Sequence, residues 1–468
     1  MKKILFIAGI LLLVNPFVAY SIEVGCNMTV SGYLKNETAV RTHELDDLLK
    51  IEHTAQIEAE YRISDNLHVF GIVREFYDSV FDAEEKYREN RNLLSRTRGI
   101  NWLRELYLDY YSTNLDIRIG KQQVVWGTTV GMKILDIVNP DDQREYVLDD
   151  FADSRIPLWM LKAEWSPKVN GTLQFLFIPD FKHNFISPAG SPFTYQAVTL
   201  GAEKVGALER LGYHVHENAI RPAKTFENSK IGLRWLDVFK GFEYSLNWLH
   251  GYEYSTVKGP SGAILPRVII PGPPGLPPLG STMILESKHP QVEYFGGSFT
   301  KTVTAGYLRG LTTRGEFVYT HGHKNGYGVE GSQVGIAQVD MWKSALVVEK
   351  YVITNWLVEF QYIMMGLTRE KEHGYRFLLG PTQGTLDQVE TFLTLMVSTD
   401  FFYERLKAKT LIVYGDNNDW RFSPRFDFEA TDKINVALGF HFFNGHRNGL
   451  NGEFRDNDEV YTEIKYSF

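Results

Sequence analysis

Two short stretches of this sequence place histidines where they could hold a metal. His214-Val215-His216 and His321-Gly322-His323 each put two imidazoles on one face of an extended chain, and neutral imidazole is a common metal ligand. Neither pair has a Cys or Asp neighbour at ligand spacing, so no metal site is expected. Enzymatic chemistry would need a nucleophile beside a base, or an acidic cluster. No GxSxG, HExxH or Walker loop is present, so the sequence points away from an enzyme and implies no cofactor.

A larger set of charged residues is more regular. Glu58, Glu60, Arg62, Arg74, Asp109, Asp116, Lys162, Glu164, Arg234, Arg314, Glu316 and Glu359 lie in extended stretches, most of them between apolar neighbours. Successive strand residues point to opposite faces, so these charges share one face and the apolar residues the other. Both signs occur in similar number. Rings of one sign would select ions; a balanced set predicts weak selectivity or an ion-paired, occluded interior.

The elements that carry these charges read as strands. Ala55, Ile57, Ala59, Tyr61 and Ile63 alternate with polar residues up to the turn Ser64-Asp65-Asn66, after which Leu67, Val69, Gly71 and Val73 return. Similar runs include Trp159 to Trp165, Ile231 to Trp235, Trp356 to Tyr362 and, most regular of all, Ile434 to Phe442. Helical spacing fits none of them. Short turns are expected near 64–66, 113–114, 166–170, 237–241, 352–355, 399–404 and 430–433. Long connections are expected near 78–100, 127–156, 179–226, 254–289, 320–336, 366–388 and 444–457, the fourth holding the stiff Pro-rich run 271–278. Strands of about ten residues, alternating short turns with long loops, predict an all-β fold: a closed antiparallel transmembrane β-barrel of about 18 strands, with 16 as the alternative. In hydrocarbon every backbone polar group needs an internal partner, and a closed barrel supplies it.

Both chain ends fit this reading. Lys2 and Lys3, the apolar run Ile4 to Val14, and small residues at Ala19 and Ser21 predict a cleaved export signal over 1–21, leaving 22–468 as the barrel. At the other end Val460, Ile464, Tyr466 and the terminal Phe468 share a face opposite Glu463 and Lys465. A last strand ending in Phe resembles the signal that outer-membrane barrels present to their insertion machinery. After residue 21 no apolar stretch approaches the ~18 residues of a membrane helix. The formal net charge of −8 argues against nucleic acid as a partner. The single cysteine, Cys26, allows neither an intramolecular disulfide nor a CxxCH haem attachment.

One stretch departs from the strand rhythm. Arg118-Ile119-Gly120-Lys121-Gln122 runs on to Trp126-Gly127, and Asn139-Pro140-Asp141 follows as a turn signal. The apolar run Met132 to Val138 between them is too greasy for exposure, so this loop is expected to fold inward. The pattern R-x-G-x-Q-x-x-x-W-G, then N-P-x-D, resembles a porin-like outer-membrane family catalogued as a domain of unknown function. More distantly it is similar to alginate-export-type barrels. The resemblance implies a Gram-negative outer-membrane channel passing a small hydrophobic or amphiphilic solute. It marks Arg118, Gly120, Gln122, Trp126, Gly127, Asn139, Pro140 and Asp141 as solute contacts or braces of the loop. A barrel sheathing a periplasmic or haem partner, such as a multihaem cytochrome, is the competing expectation. Outer-membrane lipid is the expected surround of either.

Overall fold

The computed structural model describes residues 22–23, 27–45, 47–95, 102–167, 171–270, 279–329, 332–378, 385, 388–447 and 449–468. The expected export signal at 1–21, Cys26, the end of the 78–100 connection, the last three residues of the 166–170 turn and the Pro-rich run 271–278 lie outside them.

Eighteen strands close into one antiparallel ring. In chain order they are β1 (Met28–Arg41), β2 (Leu48–Ser64), β3 (Leu67–Asp78), β4 (Leu103–Tyr111), β5 (Leu115–Gln122), β6 (Leu158–Trp165), β7 (Gly171–Ile178), β8 (Lys230–Phe239) and β9 (Phe242–Tyr252). The second half comprises β10 (Gln291–Thr302), β11 (Thr312–His321), β12 (Met341–Ile353), β13 (Trp356–Leu367), β14 (Val389–Phe401), β15 (Leu406–Gly415), β16 (Asp419–Thr431), β17 (Ile434–Asn444) and β18 (Glu459–Ser467). Each strand pairs with its sequence neighbours, and β18 returns to β1 through registers such as Tyr33↔Ser467 and Arg41↔Glu459. At this seam Phe468 and Gly32 exchange two backbone hydrogen bonds of 2.8 and 2.9 Å. The Phe468 ring occupies the space a Cβ on Gly32 would need.

Alternation decides which way each residue faces. On β17 Ala437 and Phe443 are buried inside while Leu438 is exposed outside. On β13 Glu359, Gln361 and Ile363 are buried inside, and Trp356, Phe360 and Tyr362 are exposed outside. Tyr110, Trp165, Phe242 and Phe401 form exposed outward aromatic strand ends near the short turns, the girdle expected at a membrane interface.

Long and short connections segregate to opposite ends, as the spacing predicts. Two connections at the long-loop end are short: 42–47 and the single turn Asp416–Asn418. The long ones carry structure that alternation could not show. The helix Gln196–Arg210 lies in the β7–β8 connection. The strands Val257–Ile270 and Leu279–Lys288 pair in the β9–β10 connection, and His214–Ile220 joins them. The strands Lys324–Val329 and Ser332–Gln338 pair beyond β11.

Gly120 on β5 has φ +143°, and a Cβ there would lie 2.2 Å from the Leu106 carbonyl oxygen and 2.6 Å from the Tyr107 Cα. That backbone region is open essentially only to glycine. Gly120→Ala should therefore deplete the folded, heat-resistant barrel, read as loss of the fast-migrating band on unheated gels. Normal yield and migration would count against the strain.

Candidate functional site

The connection 123–157 leaves β5, enters the lumen and returns at β6. Trp126, Ile134, Leu135 and Val138 are buried against inward-facing Leu176, Leu249, Val318, Ile363, Phe392 and Val413, which belong to strands around the ring. Burying one such side chain is worth ~1.5–3 kcal/mol, which offsets the entropy of ordering the loop. The expected inward loop is thus the centre of the largest apolar cluster. Other connections close over it: Tyr146 packs with Phe193, Tyr195, Phe443 and Phe454, drawn from two further loops and β17.

Trp126, Gly127, Asn139, Pro140 and Asp141 brace this loop, while Arg118, Gly120 and Gln122 make their contacts within the wall beside it. Asn139 accepts from the Val124 N–H (2.8 Å) and donates to the Ile156 carbonyl (3.0 Å), stapling the loop's two ends. The Pro140 carbonyl accepts from the Ile156 N–H at 2.8 Å. Asp141 pairs with Lys133, and its N–H donates to Asn184 Oδ1. The Trp126 side chain is 1% exposed and its Nε1 donates to Gln174 Oε1 at 2.7 Å. Gln122 Nε2 donates to the Met160 carbonyl at 3.1 Å. A Cβ on Gly127 would lie 2.9 Å from the Asp136 nitrogen, so glycine permits the close turn. Arg118 forks onto Asp109 (2.6 and 2.8 Å) and stacks 3.8 Å above the Tyr107 ring.

The inward charges do the rest. Glu316, 4% exposed, accepts from the backbone N–H groups of Thr128, Thr129 and Leu135 and from the Thr128 hydroxyl. Arg74 pairs with Asp153 of the loop at 2.6 Å, and Arg234 donates to the Val125 carbonyl at 3.3 Å. Two more act through glutamines. Glu164 accepts from Gln174, which holds Trp126; Glu359 accepts from Gln361, which donates to the Val130 carbonyl. Lys162 neutralises Glu164 at 2.7 Å, and Arg314 neutralises Glu359 at 2.5 Å. Asp116 and Glu58 lie nearer the short turns; Glu60 and Arg62 are exposed at the end of β2 and reach no loop atom. Five of the twelve, Arg74, Glu164, Arg234, Glu316 and Glu359, thus reach the loop directly or through a glutamine, and both signs are among them.

Alternation missed Gln174 and Gln361, because an uncharged amide carries no signal until its partners are known. It also missed Lys50, which bonds Glu37 at 2.9 Å and Glu145 of the inward loop at 2.7 Å. The second histidine pair finds acids that spacing could not reveal: His321 meets Asp340 at 3.0 Å and His323 meets Glu253 at 2.9 Å. Among the described residues no cluster of three or more His, Cys, Asp or Glu side chains has metal-binding geometry.

Several acids of the closing loops hold their protons to higher pH than usual, Asp149 and Glu453 among them. Burial, with Glu37 and Glu52 nearby and Lys50 only partly compensating, pushes Asp149 up to about 6. Burial and Asp419 push Glu453 up to about 8 against the Gln196 N–H that it accepts. Both keep their protons in the folded loops where an unfolded carboxyl, near ~4, has lost them. Their stabilisation is full below that point and is lost as pH rises to about 6 and about 8 respectively. Open probability in planar bilayers should thus be lower at acid than at alkaline pH. Combining Asp149→Asn with Glu453→Gln, which mimics the protonated acids, should flatten the response; an unchanged response would refute the assignment.

A closed ring of eighteen antiparallel strands with a loop pinned across its lumen defines a β-barrel with an inward loop. Residues 41–468 match the family described as "Protein of unknown function (DUF1302)", and the chain belongs to that family. No curated protein gave a significant match. Solved structures of similar fold include OccAB4 of Acinetobacter baumannii, with 9% identity, 94% of this chain and 98% of that chain covered, and a TM-score of 0.52. OccAB1 of the same organism has 10% identity, 94% and 96% coverage, and a TM-score of 0.51. OccK2 (OpdF) of Pseudomonas aeruginosa, solved in complex with glucuronate, has 8% identity, 94% and 98% coverage, and a TM-score of 0.50. At these identities the likeness is one of fold.

Proposed function

We propose that this chain is an outer-membrane channel for passive passage of a small hydrophobic or amphiphilic solute, with the 123–157 loop as its constriction. The observation that carries this reading is the makeup of the lumen centre. Trp126, Ile134, Leu135 and Val138 meet apolar wall residues there, and beside them Glu316 is taken up by the loop's amides while Glu359 and Arg314 pair with each other. A polar ion would lose hydration at such a waist without gaining partners, whereas an apolar body would not. Long loops at one end and short turns at the other fit an outward and a periplasmic face respectively, and the exposed aromatic strand ends fit a membrane interface. The loop also fills the space a sheathed haem protein would need, which speaks against the conduit alternative.

The test is reconstitution. Purified chain in planar bilayers should give small, flickering single-channel currents, and liposomes carrying it should admit an apolar or amphiphilic dye faster than a sugar of equal size. A sugar that enters faster would overturn the solute class. A silent chain that admits neither would overturn the channel.

A further inference from the structure

Lys50 of β2 is buried, and its ammonium is divided between the wall and the inward loop. It bonds Glu37 of β1 at 2.9 Å and Glu145 of the loop at 2.7 Å. Glu37 is itself shared with Lys35 at 3.2 Å. A third carboxyl lies close by. Glu459, the first residue of β18, is 4% exposed, and its Oε2 accepts no hydrogen bond. Lys50, Glu145 and Glu459 all face one small cavity of about 40 Å³ between the wall and the loop.

The charges around Glu459 single out Lys50. Two cations act on this carboxyl, Lys50 most strongly and then Arg41. Arg41 is taken by Asp47 at 2.9 Å and by the Asp456 carbonyl. Arg144, which also lines the cavity, forks onto Asp142 at 2.9 and 2.6 Å. Of the three, Lys50 is the one that stands on the wall with a partner on the loop. Between Lys50 and β18 lies Ala39 of β1, opposite Lys50 on one side and Tyr461 on the other. The Tyr461 ring leans away, over Gly439, so the flexible stem of Lys50 has a methyl group to pass.

We propose that Lys50 is a two-position latch, holding Glu145 while the loop closes the lumen and moving to Glu459 when the loop withdraws. Opening then exchanges one buried ion pair for another. Without the second position it would strand an ammonium that keeps only its share of Glu37, and a buried pair broken by removal of one partner is costly. Two discrete partners give the loop two resting states in place of a continuum. The inference rests on the reading of 123–157 as a constriction.

The experiment is hydrogen–deuterium exchange of the full chain in dodecyl maltoside micelles, read on peptides covering 142–149. Glu459→Gln should slow exchange there several-fold, because opening loses the second position of Lys50. Glu145→Gln should speed it, because the closed position is lost. With Lys50 replaced by Met, and likewise by Gln, adding Glu459→Gln should change nothing. Exchange at the parental rate in either glutamate variant would overturn the latch. So would a slowing by Glu459→Gln that persists without Lys50, since the acid would then act on the closed state alone. Exchange needs no current, so a chain silent in bilayers overturns the channel and leaves this measurement to decide the latch.

Discussion

Replacing Glu316 with alanine should raise the single-channel conductance several-fold. This carboxylate sits on β11, on the inner wall, and receives the N–H groups of Thr128, Thr129 and Leu135 together with the Thr128 hydroxyl. Those amides lie where the loop crosses the lumen and cannot satisfy one another. Alanine leaves three buried donors without an acceptor, at about 1–3 kcal/mol each. A loss of ~3 kcal/mol already shifts a closed-to-open ratio by ~100-fold. The barrel ladder is untouched, so the variant should assemble normally. Glu349→Gln is the control: Glu349 pairs with Arg314 from β12 at 3.0 Å and bonds no loop atom. Conductance equal to that of the parent in Glu316→Ala, with the control behaving alike, would mean that the loop is held by packing alone.

Trp126→Ala should do comparable damage by another route. The indole is 1% exposed at the heart of the apolar cluster, and its N–H is bound by Gln174. Truncating a buried aromatic to alanine costs ~3–5 kcal/mol through lost transfer energy and the cavity left behind. Gln174 then keeps its bond to Glu164 but loses the partner that ties that pair to the loop. The expected results are rapid proteolytic cleavage within 123–157 and a raised, noisy conductance. Trp126→Phe separates the two contributions. It restores most of the packing while omitting the hydrogen bond, so it should cost only ~1 kcal/mol and stay protease-resistant. If alanine at this position leaves the loop as resistant as the parent, the cluster is not what closes the lumen.

The strand count, the inward and outward faces, and the split between short-turn and long-loop ends follow from local sequence. A residue in a barrel wall meets either lipid or lumen according to its parity, so period-two alternation carries the whole of that information, as in Ile434 to Phe442 or Trp356 to Tyr362. The inward loop was legible for a related reason: the run Met132 to Val138 could not be left in water.

Other features had no local signature. The hairpins and helix inside the long connections make up small sheets whose partners are tens of residues away, such as His214↔Thr282. The roles of the lumen charges were equally hidden. Parity places Glu316 and Glu359 inside, but whether they line a pore or clamp a loop depends on what chain arrives beside them. For Glu316 that chain is 188 residues earlier in sequence. Closure of the ring brings the two together, and the need to satisfy buried backbone amides selects the carboxylate as their acceptor. Sequence decides what each wall residue can offer; the tertiary structure decides what it is offered to, because a lumen is enclosed by every strand at once.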